Sequence, residues 1–243
     1  MVKIENLDVS YPDGQQALGK ISFDIEKDET VGLIGSNGAG KSTLLKTMVG
    51  ILLPEQGSIE IGGVPVLKKN LKRIREKAGV VFQNPEDQLF MSNVYDDIAF
   101  GLRNMGINEP EIKDKISTVL SALGIERMLD HNSSRLSGGE QRLVAIATVM
   151  VMEPELVLFD EPTSFLDPRT RRKLIKLLKE YKVTKLIATH DLDMALELCD
   201  RVIILKEGRL FEQGSARELL SNQTLMEKAE LELPFCLQKP VVS

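Results

Sequence analysis

The chain is poor in the residues that build metal centres and covalent cross-links. Its 243 residues hold two cysteines, Cys199 and Cys236, with no CxxC spacing. Neither a disulfide framework nor a cysteine zinc site is expected from them. Histidine also occurs only twice, as His131 and His190, which excludes a multi-histidine metal site. Long apolar runs are missing too. The longest uncharged one, Leu143 to Met152, has ten residues, whereas a membrane-spanning helix needs about twenty. The start, MVKIENLDVS, alternates and is acidic rather than basic then apolar, so it does not read as a signal peptide. Basic residues do not dominate: 31 Lys and Arg stand against 36 Asp and Glu, a net charge of −5. That balance argues against a nucleic-acid binder held by bulk charge and leaves room for local basic patches, though no basic stripe stands out. No repeat or low-complexity tract appears.

What is present is an alternation of strand and helix patterns. Residues 2–9 alternate with one irregular step, and 21–26 alternate cleanly. TVGLIG (30–35) is a short apolar run ending in glycine, followed by a helical pattern over 41–49. Residues 58–63 and 79–83 read as further strands. From 84 to 105 the pattern is irregular. An amphipathic helix is expected over 111–124, with Ile112, Ile116, Val119, Leu120 and Leu123 on one face and Gly124 at its stop. A second is expected from about Gly138 to Met152. Alternation returns with strands at 156–160 and 185–189, helices at about 168–181 and 191–199, and a hairpin of 201–205 with 209–214. A last helix begins near Ser215, and the stretch after about 223 gives weak signals. The pattern implies an α/β domain with a largely parallel sheet, interrupted by a helical insertion at about 84–150.

Three motifs carry chemistry. GSNGAGKST (35–43) matches GxxxxGK[ST], with Gly35, Gly40, Lys41 and Ser42 in the fixed positions. The backbone N–H groups of Ser36, Asn37, Gly38, Ala39, Gly40 and Thr43 can close around phosphate oxygens, helped by the helix dipole. Lys41 supplies a point charge for the β- and γ-phosphates, and the Ser42 hydroxyl can ligate Mg²⁺. LVLFDEP (156–162) ends a buried strand on two adjacent carboxylates. Asp160 is the candidate for the metal shell and Glu161 for the general base. LSGGEQ (136–141) opens a helix with Ser137, Gly138 and Gly139. This reads as a second anion site, or as an ordinary cap in which Ser137 and Glu140 form a capping box.

Together these motifs resemble the ATP-binding subunits of ABC transporters, over about residues 1–222. The resemblance implies an ABC ATPase fold: α/β, a P-loop NTPase (RecA-like) core with an antiparallel β subdomain and an inserted α-helical subdomain. It implies a single domain at 1–222 (core 1–83 and 151–222, helical subdomain 84–150) and a C-terminal tail at 223–243. Further positions gain roles by the same resemblance. Tyr11 matches the aromatic that stacks on adenine. Gln83 matches the glutamine that contacts Mg²⁺ and the attacking water. Asp167, in SFLD (164–167), matches the acid of a loop coupling two sites, and it could equally cap the following helix. His190 matches the switch histidine that reaches the γ-phosphate. The family's mechanism is a head-to-tail pair, of the chain with itself or with a paralogous ATPase. Ser137, Gly138 and Gly139 of one subunit close over ATP held by the other.

FQNPEDQLF (82–90) with QRLVAIATVMVMEPE (141–155) resembles more closely the ATPases of energy-coupling-factor transporters, which import cobalt, nickel or vitamins. Thr148 stands where many ABC ATPases carry Arg. The resemblance implies ATP and Mg²⁺ as cofactors and a peripheral place at the cytoplasmic face of the membrane. It also implies a transmembrane coupling subunit as partner, a substrate-binding membrane subunit reached indirectly, and no nucleic acid. Several of Leu89, Phe90, Met91, Val94, Tyr95 and Phe100 are expected to line a groove for that membrane partner, or else to form a small core. The alternatives are another ABC transporter class, or a soluble ABC-type ATPase outside transport.

Overall fold

A computed structural model of the chain describes residues 1–238. In chain order the elements are β1 (Val2–Ser10), β2 (Gln16–Ile25), β3 (Thr30–Ile34), α1 (Lys41–Met48), β4 (Gln56–Ile61), β5 (Val64–Pro65) and α2 (Leu71–Lys77). Then come β6 (Ala78–Val81), α3 (Val94–Asn104), α4 (Glu109–Leu123), α5 (Gly138–Met150), β7 (Leu156–Asp160) and α6 (Pro168–Glu180). The chain continues through β8 (Thr184–Ala188), α7 (Leu192–Leu198), β9 (Arg201–Lys206), β10 (Arg209–Ser215), α8 (Ala216–Leu220) and α9 (Gln223–Lys228). The described chain divides into two compact units, residues 1–75 with 183 onward, and 76–182.

The first unit carries two sheets. One is antiparallel, in the order β2-β1-β4-β5. Its β1 shows the expected irregular step: Asn6 takes φ +46°, the pairing with β2 slips between Ile4 and Leu7, and the Asn6 N–H turns to the Ser22 hydroxyl at 2.8 Å. β2 begins earlier than its alternation shows. Residues 16–20 are carried into the sheet by pairing with β1, through a second irregularity at Lys20, φ +51°. The other sheet sets β3 parallel to both β8 and β9, with β10 antiparallel beside β9. All five residues of β3 and of β8 are buried, as strands covered on both faces must be. A cluster around Ile34, Val202, Ile204 and Leu220 receives Met226 from α9, with Leu231 and Leu233 packed against it. The stretch after 223 therefore belongs to this core as far as it is described.

The second unit sets β6 parallel to β7. Its helical part packs α3, α4 and α5 around Val94, Ile98, Leu102, Ile112, Ile116 and Val144. α4 and α5 match the expected helices; α3 falls in the stretch whose pattern is irregular. Its inner stripe of Val94, Ile98, Ala99 and Leu102 is broken by Asp97, which is 4% exposed. That carboxylate is a structural hub. One oxygen accepts the N–H groups of Phe90 and Met91, each at 2.9 Å, and the other accepts the Ser133 hydroxyl at 2.5 Å. It thus holds the loop before α3 and the loop before α5. α2 escaped the sequence pattern because it buries one residue, Ile74.

Removing the Asp97 carboxylate leaves three donors without their acceptor. Asp97→Ala is expected to lower the urea unfolding free energy by about 2–4 kcal/mol, read from the shift of the far-ultraviolet circular dichroism transition. A shift no larger than that of Ser133→Ala would show that the two loop amides do not depend on it.

Candidate nucleotide site

In the first unit, parallel register brings two loops to one edge. Leu33 of β3 is paired with Ala188 of β8, and the Thr189 N–H donates to the Leu33 carbonyl at 3.1 Å. The P-loop that starts at Gly35 and the exposed His190 therefore leave neighbouring strands at the same end. The C-terminal edge of a parallel sheet is where α/β proteins bind ligands. Gly35 must be glycine: a Cβ there would collide with the Leu205 carbonyl oxygen and lie 2.9 Å from the Ala39 methyl. Gly40 takes φ +100°, a left-handed conformation that a side chain would strain. It starts α1 with no side-chain cap, so the first N–H groups of the helix keep their donors for an anion. Lys41 folds back over the loop, its ammonium donating to the carbonyls of Gly35 at 2.7 Å and Ser36 at 3.1 Å. Ser36 and Ser42 are half-buried, Asn37 and Gly38 exposed, Ala39 and Thr43 buried. Tyr11, 40% exposed, shares a 2.5 Å hydrogen bond between its hydroxyl and that of Thr43. The ring is thereby tethered to the first turn of α1 with a face to solvent.

The second unit repeats the register argument. Val81 of β6 is paired with Phe159 of β7. Gln83 and Glu161 follow by two residues each and so emerge at one end. Asp160 and Glu161 are 6% and 5% exposed. Glu161 takes φ +51°, a left-handed conformation unusual for a non-glycine residue. Ser137 caps α5. Its hydroxyl accepts the Glu140 N–H at 3.4 Å, while the Glu140 carboxylate accepts the Ser137 N–H at 3.0 Å and its hydroxyl at 2.9 Å. These bonds hold the Glu140 carboxyl below its ordinary pKa. Gly138 and Gly139 lie against Phe165: a Cβ on Gly139 would approach the Phe165 carbonyl oxygen to 3.0 Å. Phe165 is itself left-handed, φ +68°. Asp167 caps α6, accepting the N–H groups of Arg169 at 2.9 Å and Thr170 at 3.1 Å and the Thr170 hydroxyl at 2.5 Å. Ser137, Gly138, Gly139, Phe165 and Asp167 line one open cavity of about 920 Å³.

Arg142 is a residue that motif reading passes over. It is the largest fully buried side chain of α5, 0% exposed. Its guanidinium donates to the Phe82 carbonyl at 2.5 Å and to the Gln83 carbonyl, and it stands 5.9 Å from the centre of the Phe165 ring. Burial pushes its pKa down to about 10, against the opposing pull of the Asp160 and Glu161 carboxylates. Gln88 makes a second tie. Its carbonyl oxygen accepts the Phe82 N–H at 3.1 Å, and its amide donates to the Ala145 carbonyl at 2.8 Å and the Thr148 hydroxyl at 2.7 Å. Arg142, Ala145 and Thr148 recur every three residues on one face of α5. The segment around Gln83 is thus bolted to the helix that Ser137 opens. Thr148, which stands where many family members carry Arg, is engaged by Gln88.

The ABC transporter family profile matches residues 18–164, more than half the chain. A putative ABC transporter ATP-binding protein of Geobacter sulfurreducens is 44% identical over 98% of this chain and 96% of its own. The energy-coupling factor transporter ATP-binding protein EcfA3 of Clostridium perfringens is 40% identical over 96% of this chain and 84% of its own. Among solved structures, cbiO1 of Clostridium perfringens, part of the ABC transporter complex cbiONQ, superposes with a TM-score of 0.81. It shares 40% identity and covers 96% of this chain and 95% of its own. A dimeric post-hydrolysis state of the ATP-binding cassette MJ0796 with ADP and Pi superposes at 0.82, with 29% identity, covering 89% and 99%.

The fork of Arg142 generates a measurable expectation. Arg142→Met should raise amide hydrogen exchange across residues 82–88 by roughly tenfold or more, with β7 unchanged. Arg142→Lys, which keeps the charge and one donor direction, should recover part of the protection. Exchange in 82–88 that is equal in all three proteins would refute the tie.

Proposed function

Because the chain belongs to the ABC transporter family, as an ATP-binding and ATP-hydrolysing subunit, we propose that it powers a membrane importer of the energy-coupling-factor type. The finer assignment is supported by the 40% identity with EcfA3 and with cbiO1 over nearly the whole of this chain. Cobalt or nickel ions and vitamins are the cargo classes that this type implies. The observation that carries the chemistry is the Asp160–Glu161 pair, both filled and nearly buried where β7 ends, in a chain whose P-loop is complete.

In this reading Lys41 and the amides of 36–43 hold the β- and γ-phosphates, and Tyr11 stacks on the base. Glu161 takes a proton from the attacking water, Gln83 orients that water, and His190 contacts the γ-phosphate. Mg²⁺ would be held by the Ser42 hydroxyl and, through water, by Asp160 and Gln83. The donor set fits: Ser42, Asp160 and Gln83 all offer oxygen ligands. Such a sparse set suits an ion that keeps waters and takes phosphate oxygens. When bound, the metal would neutralise charge on the phosphates. Ser137, Gly138 and Gly139 of a second subunit, identical or paralogous, close over the γ-phosphate, a contact that ADP cannot offer. That difference gives ATP and ADP unequal affinity for the closed pair.

Among the described residues no helix is long and apolar enough to cross a membrane. We propose that the chain sits at the cytoplasmic face and binds a transmembrane coupling subunit through Phe90 and Phe100. Phe90 is 63% exposed, and the two rings meet edge to face at 4.9 Å. Val94, one of the residues considered for that groove, is fully buried in the helical core.

Two experiments test this function. Glu161→Gln should lower ATP turnover roughly 10²–10⁴-fold while ATP binding persists, and light scattering should detect a dimer trapped in ATP and Mg²⁺. Turnover unchanged by the substitution would remove Glu161 from the chemistry. Phe90→Asp should abolish co-purification with the membrane subunit while the purified chain keeps its melting temperature; intact assembly would move the docking site elsewhere.

A further inference from the structure

The stretch KKNLKRIREK (68–77) places six Lys and Arg in ten positions, against the single acid Glu76. Lys77 is paired with Glu155. Lys68, Lys69, Lys72, Arg73 and Arg75 are exposed, and none pairs with a carboxylate among the described residues. A 3₁₀ turn over Lys68–Asn70 runs into α2 without a break, Leu71 being already helical. The segment is fixed from its inner side. Ile74 is fully buried. Leu71 packs so closely on the Gly50 backbone that a Cβ there would collide with it. The Asn70 side-chain amide donates to the Pro65 carbonyl at 2.9 Å. At about 100° per residue the five cations cover roughly half the circumference, opposite Ile74. Two exposed apolar residues border them. Leu67, 47% exposed, precedes Lys68, and Ile51, 50% exposed, follows Gly50.

We infer that this face is a docking surface for anionic lipid headgroups. It rests on the proposed function for the presence of a membrane, and it adds a contact to the bilayer itself. The chemistry selects a headgroup plane. The cations are spread over a convex helix face rather than lining a groove, and their long side chains can adapt to mobile phosphates. No aromatic residue lies within 67–77 to stack on a base, as a single-stranded nucleic-acid site requires. The flanking Leu67 and Ile51 can enter the headgroup boundary, as in interfacial helices. With a net charge of −5, the whole chain would be repelled by an anionic bilayer, so attraction must come from this local face. Each cation near such a surface strengthens partitioning by roughly fivefold, screened by salt.

The test is sedimentation of the purified full chain with vesicles of phosphatidylcholine alone, or with a third phosphatidylglycerol, at low and high salt. The expected result is partitioning at least tenfold stronger onto the anionic vesicles at low salt, lost at high salt. The combined variant Lys68→Gln, Lys69→Gln, Lys72→Gln, Arg73→Gln and Arg75→Gln should lose roughly 10³-fold of that binding while keeping its melting temperature and ATP turnover. Lys3→Gln, Lys20→Gln and Lys27→Gln together should bind like the parent. Equal partitioning onto both vesicle types, or undiminished binding of the five-site variant, overturns the inference. So does tighter binding to a duplex oligonucleotide than to anionic vesicles, which would assign the face to nucleic acid. Turnover of the parent and of Glu161→Gln, measured in the same preparations, decides the enzymatic reading separately. Neither result depends on the other.

Discussion

Parallel strand register is the constraint on which the rest of this molecule depends. A parallel pair sends both its chains out at the same edge, so whatever follows the strands becomes neighbouring loops. The pairing of Leu33 with Ala188 does this for the P-loop and His190, and that of Val81 with Phe159 for Gln83 and Glu161. A slip of one residue in either pair would turn every buried side chain of those strands toward the opposite face. Since β3, β7 and β8 are buried along their whole length, the hydrophobic core resists that slip. Core packing thus fixes the spacing of polar residues that make no part of the core.

The helix starts divide according to how their donors are satisfied. α5 and α6 are closed by their own sequence: Ser137 with Glu140 in one, Asp167 behind Pro168 in the other. α1 begins on a left-handed glycine with no side-chain cap. A capping side chain contributes about 1 kcal/mol to a helix, and α1 does without it. What remains is a loop of amides around the Lys41 ammonium, an arrangement that costs stability and favours an anion. The capping box of α5 has a different consequence. A phosphate approaching Ser137 meets a hydroxyl already bonded to Glu140. Any such contact would exchange one hydrogen bond for another rather than add one outright, which would keep its net gain small.

Contiguous chemistry was legible in the sequence and dispersed chemistry was not. The P-loop, the Asp160–Glu161 pair and the Ser137 helix start are each written in a few consecutive residues with strand or helix patterns on the expected sides. The fold class followed from the same alternation. α3 was hidden because Asp97 occupies an inner position where an apolar residue would have marked the helix. α2 was hidden because one buried residue makes no period. A net charge averaged over the chain conceals five exposed cations within eight positions.

Arg142 shows why some buried polar positions leave no sequence signal. Its partners are the carbonyls of Phe82 and Gln83, some sixty positions away, and a carbonyl is the same in every residue. The stability argument runs against it. A guanidinium taken out of water and bonded mainly to neutral oxygens loses hydration that these bonds replace only in part; its Nε is buried with no acceptor at all. An apolar side chain of similar volume would satisfy the core at lower cost. The geometry supplies the explanation that stability does not. A planar fork can hold two consecutive carbonyls in one orientation, which a hydrocarbon cannot, and so the backbone at Gln83 is fixed from the helix that begins at Ser137. The Asp160 and Glu161 carboxylates favour the same buried cation. In this unit the carboxylates, the Gln83 segment and the start of α5 are therefore coupled through a single side chain.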